Sequence, residues 1–177
     1  MIYFVRHGLS EANIKKVFAG PKDDSLLVDE GRQQAKETAK RIKEEGIEIH
    51  KIISSPLKRA HETAQIIADE LGFKSSNIIT DERIIEYDMG SLSGTPWGVI
   101  SSAILTTAEN AEDPEIFRDR VYSFVKELSD SPENILLVSH AGVGRILEII
   151  RINGKSELFY DLPPVKNASV IKIDWIK

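Results

Sequence analysis

The chain of 177 residues is expected to fold as an α/β protein: a three-layer α/β/α sandwich with a mostly parallel central sheet, helices on both faces and a C-terminal strand at or near an edge. Three observations predict it. The apolar runs Ile2-Tyr3-Phe4-Val5 and Ile135-Leu136-Leu137-Val138 are continuous rather than alternating, as strands buried on both faces are, and Ile49 to Ile53 is a third run interrupted by His50 and Lys51. Each run ends in polar residues and gives way to a helical pattern, the order of βαβ units. The composition, 41% hydrophobic and 29% charged, is globular, and a chain of this length can bury roughly two-thirds of its unfolded surface.

The elements follow in order. Residues 29 to 45 carry Ala35, Ala39 and Ile42 on one stripe ahead of Gly46, which predicts a helix with a glycine stop. After the second strand, Ser55 is expected as N-cap and Pro56 as first helical residue. Leu57, Ala60, Ala64, Ile67 and Leu71 form the apolar face of that helix, and Gly72 ends it. Two more helices are expected, from about Pro114 to Leu128 and from Ala141 to Ile152. Ser169 to Trp175 alternates, with Ile171, Ile173 and Trp175 on one face, which suits a half-exposed strand near an edge. Residues 91–113, rich in Ser, Thr, Gly and Ala, carry the weakest pattern and are expected to cover the substrate as an insertion above the sheet. The remaining loops are short, so residues 1–177 are expected to form a single domain.

Charge and cysteine content exclude several functions. Twenty-three Lys and Arg against 28 Asp and Glu give a net charge of −5, which disfavours a nucleic-acid coat or a membrane-surface role. Cysteine is absent, which removes disulfides, thiolate metal sites and cysteine nucleophiles. No apolar run reaches the roughly 18 residues of a spanning helix. The start, Met1 to His7, lacks a signal peptide's basic and apolar regions, so the cytoplasm is the expected compartment.

Chemistry is expected where the strands end, because ligands of open α/β sheets bind beyond the strands' carboxyl ends. Three exits deliver Arg6-His7, the turn from Ser54 to Arg59, and Ser139-His140 to that edge. Arg59 falls in the first turn of its helix, where the dipole disfavours a cation by roughly 0.3–1 kcal/mol. Its side chain leans back toward the strand end, and a bound anion would turn the arrangement favourable. Lys58 is expected to be solvated, and His50 and His61 to be surface residues. Other motifs fail: Gly142-Val143-Gly144 has Leu147 where a dinucleotide loop has its third glycine. Asn153-Gly154-Lys155-Ser156 has Ile149 where a P-loop has its first. Asn167-Ala168-Ser169 matches a glycosylation acceptor, but the chain is not expected to enter a secretory route.

Arg6-His7-Gly8 with Ser10 and Asn13 resembles the opening of the histidine phosphatase superfamily, the phosphoglycerate-mutase-like proteins. Asp24-Ser25 before Leu27, and Gly31-Arg32-Gln33-Gln34-Ala35, resemble its next segment. Ser54-Ser55-Pro56-Leu57-Lys58-Arg59-Ala60 with Thr63-Ala64 resembles its second phosphate-binding block. Ile85-Glu86 before Asp88-Met89-Gly90 and Gly94 resembles the block carrying the acid, and Ser139-His140-Ala141-Gly142 the last block. The blocks keep the family's order. The chain departs from the family pattern at Leu9, Ala12 and Ser91-Leu92-Ser93, positions expected near the mouth of the site, where substrate is chosen.

The resemblance implies a metal-independent phosphomonoesterase acting on a small phosphorylated metabolite, a sugar phosphate or α-ribazole phosphate among the options, with no cofactor and no metal ligands. His7 would take the phosphoryl group, Arg6, Arg59 and His140 would hold its oxygens with Asn13 and Ala141, and Glu86 would protonate the leaving alkoxide. His140 is expected to act as a protonated imidazole. With His7 neutral and Glu86 protonated, activity is expected to peak at roughly pH 5–6.5. A cofactor-dependent phosphoglycerate mutase is the alternative. The short insertion, and the lack of any Lys or Arg from Thr95 to Phe117, argue against it, because a mutase must also grip a bisphosphate and a carboxylate. A phosphohistidine phosphatase or a non-catalytic phosphate-binding module ranks lower. Leu9, Leu92, Trp97 and Val99 are expected to make the mouth less polar. The partner is a small phosphate ester rather than nucleic acid or membrane, and both a monomer and a homodimer are compatible with the sequence.

Overall fold

The computed structural model describes residues 1–98 and 108–175. Its sheet has five strands in the order β3-β2-β4-β1-β5: β1 (Ile2–Arg6), β2 (Lys51–Ser54), β3 (Ile79–Thr80), β4 (Ile135–Ser139) and β5 (Val170–Ile173). The first four run parallel, and β5 lies antiparallel against β1 at one edge.

The continuous apolar runs are explained by burial on two faces. Ile2 and Phe4 of β1 and Ile135 and Leu137 of β4 enter one core. Val5, Leu136 and Val138 enter the other. The first core is closed by α4 (Pro114–Ser129) and α5 (Ala141–Arg151), the second by α2 (Asp29–Glu44) and α3 (Lys58–Leu71). That is the expected three-layer α/β/α architecture. A short helix, α1 (Glu11–Lys15), follows β1 and starts in a capping box. Ser10 Oγ accepts from Asn13 N–H, and Asn13 Oδ1 accepts from Ser10 N–H.

Two elements start two residues later than expected. The second strand covers Lys51–Ser54 rather than Ile49 to Ile53, because His50 N–H is bonded to the Asn134 carbonyl outside the ladder. Helix α3 begins at Lys58 with Leu57 as N-cap, not at Pro56 behind Ser55. Ser55 Oγ instead accepts from Leu57 N–H at 3.3 Å, closing a turn ahead of the helix. On β5, Ile171 is 40% exposed while Ile173 is buried, so the alternating face is only partly covered. The insertion expected at 91–113 lies partly outside the described residues; Gly90–Leu92 form a single 3₁₀ turn at its start.

Candidate active site

The parallel register brings three strand ends together. Arg6 pairs with Ser139 and Ser54 with Val138. His7 N–H then bonds the Ser139 carbonyl at 2.8 Å, and Ser55 N–H bonds the Val138 carbonyl at 2.9 Å. Arg6-His7, Ser55 and His140 therefore leave the sheet side by side. The turn after β1 is possible because two glycines meet there. A Cβ on Gly8 would overlap the Gly31 backbone, and one on Gly31 would overlap Leu9. Thr63 Oγ1 accepts Gly8 N–H at 3.1 Å, and Gln34 Oε1 accepts Leu9 N–H at 2.9 Å, which fixes the loop to α3 and α2.

Arg6, His7, Asn13, Arg59, Glu86 and Ala141 line one cavity of about 600 Å³. His140 lies behind it, fully buried, its ring centroid 5.3 Å from that of His7. The His7 Nδ1 is 2.7 Å from the Gly8 carbonyl. A carbonyl only accepts, so Nδ1 carries the proton and Nε2 keeps its lone pair. Burial, reinforced by the Arg6 and Arg59 charges, holds His7 well below the ordinary imidazole value. Both observations favour a neutral ring with Nε2 available to a ligand.

The cations are anchored by one edge each. Arg6 Nη1 donates to the Val165 carbonyl at 2.7 Å, and Arg59 Nη1 to the Asp23 carbonyl at 2.7 Å. Arg6 Nε, Arg59 Nε and Nη2, and His140 Nδ1 are buried without a protein partner. Burial pushes Arg6 down to about 10, with Glu86 opposing and Arg145 and Arg59 adding to the shift. It lowers Arg59 as well, against Glu86, Asp23 and Asp24. Unpaired buried donors on charged groups cost on the order of 1–3 kcal/mol each, and an anion among them would offset that cost.

His140 corrects an expectation. Burial first, then Arg59, His7, Arg6 and Arg120, hold it well below the ordinary value, so it is neutral rather than an imidazolium in this site. Its Nε2 lies 2.8 Å from Ser55 Oγ. With His7 also pushed below its ordinary value, the acid edge of the expected pH window moves downward.

Glu86 lines the same cavity as His7 and reaches the start of α5. Its Oε1 accepts from Tyr87 N–H at 2.9 Å and from Gly142 N–H at 3.0 Å. Asn13 Oδ1 is saturated by Ser10 N–H and by Asn167 Nδ2 at 3.1 Å. The Asn13 amide nitrogen is therefore the end left for a ligand.

Several contributors were not anticipated. Asn167, matched by sequence only to a glycosylation motif, is half-buried and its Nδ2 also donates to the His7 carbonyl at 2.9 Å. Arg145 and Lys166 line the cavity. Their presence weakens the argument drawn from the cation-poor stretch after Thr95, since positive charge reaches the mouth from α5 and from the loop before β5. No spacing in the sequence joins these residues to His7: the parallel pairing of β1 with β4 brings Arg145, and the antiparallel return of β5 brings Lys166 and Asn167. At the mouth, Leu9 and Trp97 line the cavity as expected. Leu92 packs on the core instead, and Val99 lies outside the described residues. His50 is exposed and accepts Asn134 N–H, and His61 pairs with Ser54 Oγ; neither reaches the site. Lys58 is ion-paired with Asp24 rather than simply solvated. Among the described residues, no group of three or more acidic or histidine side chains is placed to hold a metal ion, and no helix is long and apolar enough to cross a membrane.

The model of the histidine phosphatase superfamily (branch 1) matches residues 2–177. A 2,3-bisphosphoglycerate-dependent phosphoglycerate mutase from Thermoplasma acidophilum is 33% identical over 175 residues, covering 96% of this chain and 84% of its own. A Hydrogenobacter thermophilus protein named "Putative phosphoserine phosphatase 2" is 33% identical over 154 residues, 80% of this chain and 73% of its own. The solved structure of Bacillus stearothermophilus YhfR superposes with a TM-score of 0.83 at 25% identity, over 99% of this chain and 92% of that one.

Proposed function

Because the chain belongs to the histidine phosphatase superfamily, we propose that it is a metal-independent phosphomonoesterase acting on a small phosphate ester through a phosphohistidine. The observation that carries this reading is the set of unpartnered buried N–H groups of Arg6 and Arg59 beside a His7 whose Nε2 is free. Phosphoryl transfer asks a protein mainly for positioning and for charge on the equatorial oxygens, and two guanidiniums supply both.

In the first step His7 Nε2 attacks phosphorus, the P–O ester bond breaks, and the leaving alkoxide takes a proton from the Glu86 carboxyl. The phosphoryl oxygens are held by Arg6, Arg59, the Asn13 amide, the N–H of Ala141 at the start of α5, and His140, which regains a proton as the dianion compensates its surroundings. In the second step water attacks phosphorus, Glu86 accepts its proton, and the P–N bond returns its electron pair to His7. Inorganic phosphate leaves and the residues are restored. These 177 residues act in this reading as a single catalytic domain.

A mutase reading is favoured by the Thermoplasma relative and by Arg145 and Lys166 at the mouth, where a second anionic group could bind. A panel of phosphate esters, with and without 2,3-bisphosphoglycerate, separates the two on wild type and His7→Ala. Phosphate release without bisphosphate, abolished in His7→Ala, is the expected result. Isomerisation that requires bisphosphate would replace the phosphatase reading with the mutase one, and no turnover of any ester would overturn both.

A further inference from the structure

Arg120 is the most heavily engaged arginine near Glu86, yet it touches no cavity wall beside His7. From α4 its Nη1 donates to the carbonyls of Arg83 and Ile85 at 2.7 and 2.9 Å, and its Nη2 to that of Glu86 at 3.4 Å. The same guanidinium grips Glu112 through Nε at 2.6 Å and Nη2 at 2.9 Å, and lies 4.4 Å above the Phe117 ring. Glu112 in turn holds the other side of the acid segment: its Oε2 accepts Asp88 N–H at 3.3 Å, and its carbonyl accepts the Tyr87 hydroxyl.

We infer that Arg120 and Glu112 form a clamp that positions the Glu86 carboxyl for proton transfer, making Arg120 a positioning residue that acts through Glu86. The segment from Arg83 to Asp88 has almost no regular structure of its own: after the 3₁₀ turn Glu82–Ile84 it runs as a loop to Gly90. Its carbonyls would otherwise be served by water, and each would leave the chain free to shift. A planar fork meets two or three carbonyls and a carboxylate at once, which an ammonium cannot do. Ser139 Oγ donates to the Ile84 carbonyl at 2.6 Å, so the backbone two residues before the acid is secured independently, while the carbonyls of Ile85 and Glu86 are met by Arg120. Displacements of about 1 Å at a reacting group can cost about a hundredfold in rate.

The proposal rests on Glu86 being the acid, and the test separates the two claims. Wild type, Glu86→Gln, Arg120→Gln and Arg120→Lys are compared by kcat/KM on p-nitrophenyl phosphate and on an alkyl phosphate such as glycerol phosphate. A stable phenolate departs without a proton, whereas an alkoxide requires one, so loss of the acid shows selectively on the alkyl ester. Arg120→Gln is expected to lose about tenfold or more on the alkyl ester and less than about threefold on the aryl ester, with Glu86→Gln following the same pattern more strongly. Arg120→Lys, with charge but no fork, is expected to fall between wild type and Arg120→Gln. Equal losses on both esters, as partial unfolding would give, or no loss on either, overturn the clamp while the Glu86 pattern stands. If Glu86→Gln itself fails to discriminate, the acid assignment falls and the clamp with it.

Discussion

Gly142 joins Glu86, the proposed acid, to the helix that starts beside it. A Cβ there would overlap Glu86 Oε1 and come within 3.3 Å of a Phe117 ring carbon. The first obstacle is the end of a flexible side chain, so the fold can absorb Gly142→Ala by moving the carboxyl away, and alanine is favoured over glycine in a helix by about 1 kcal/mol. Gly142→Ala is therefore expected to cost about tenfold or more in kcat/KM on alkyl esters with an unchanged melting temperature. A variant that keeps full activity would show that Glu86 does not act from this position. At this scale the sequence revealed what lies at strand exits: Arg6, His7, Arg59 and His140 each follow a strand or open a helix, where ligands bind. It concealed Asn167, Arg145 and Arg120, whose roles come from carbonyls and neighbours contributed by distant segments. A hydrogen bond from Asn167 Nδ2 to His7 O spans 160 positions and leaves no local pattern.

Helices and strands were legible because their apolar periodicity is set by burial, and both faces of the sheet are covered. The start of α3 was misplaced because Ser55 has the chemistry of an N-cap and spends its hydroxyl on a turn and on His140 instead. The two-residue β3 was invisible, since it carries too few side chains to form a pattern. Helix α4 binds the acid segment through packing as well as charge. Phe117 stands 5.3 Å from the Tyr87 ring and 5.5 Å, edge-on, from Phe159, and all three are fully buried. Phe117→Ala leaves a cavity shared by α4, the acid segment and the 3₁₀ turn Ser156–Tyr160. Its expected cost is about 3–5 kcal/mol in denaturant unfolding, and Phe117→Leu should recover more than half. A loss below about 1 kcal/mol would mean that the aromatic trio packs loosely and does not tie α4 to the acid.

Across the whole molecule, a net charge of −5 coexists with a buried site where cations outnumber anions, because stability and solubility answer to different charges. The surface ion pairs, such as Arg32 with Asp29 or Lys40 with Glu44, contribute little each. The buried imidazoles contribute a pH dependence. His7 and His140 are both held well below the value of about 6.5 that they have in an unfolded chain. Between the two values the unfolded chain binds protons that the folded one refuses, so stability is complete above about pH 6.5 and falls as the pH drops below it. The carboxylates depressed in the fold, Asp81 by Arg83 and Glu148 by Arg151, lose their contribution only below about pH 4.5. The interval from pH 6.5 to 5 therefore isolates the histidines. Melting temperature is expected to decline across that interval, with a shallower slope in His140→Gln whatever its absolute stability. Inorganic phosphate at about a hundred times its dissociation constant adds about 2.7 kcal/mol. At one fixed phosphate concentration the gain should be larger at pH 5 than at pH 7, because the bound anion gives the protonated imidazoles the partner that the empty fold denies them. A melting temperature flat from pH 7 to 5, or a phosphate gain that shrinks on acidification, would show that these two rings are not the neutral, anion-ready pair that their burial makes them.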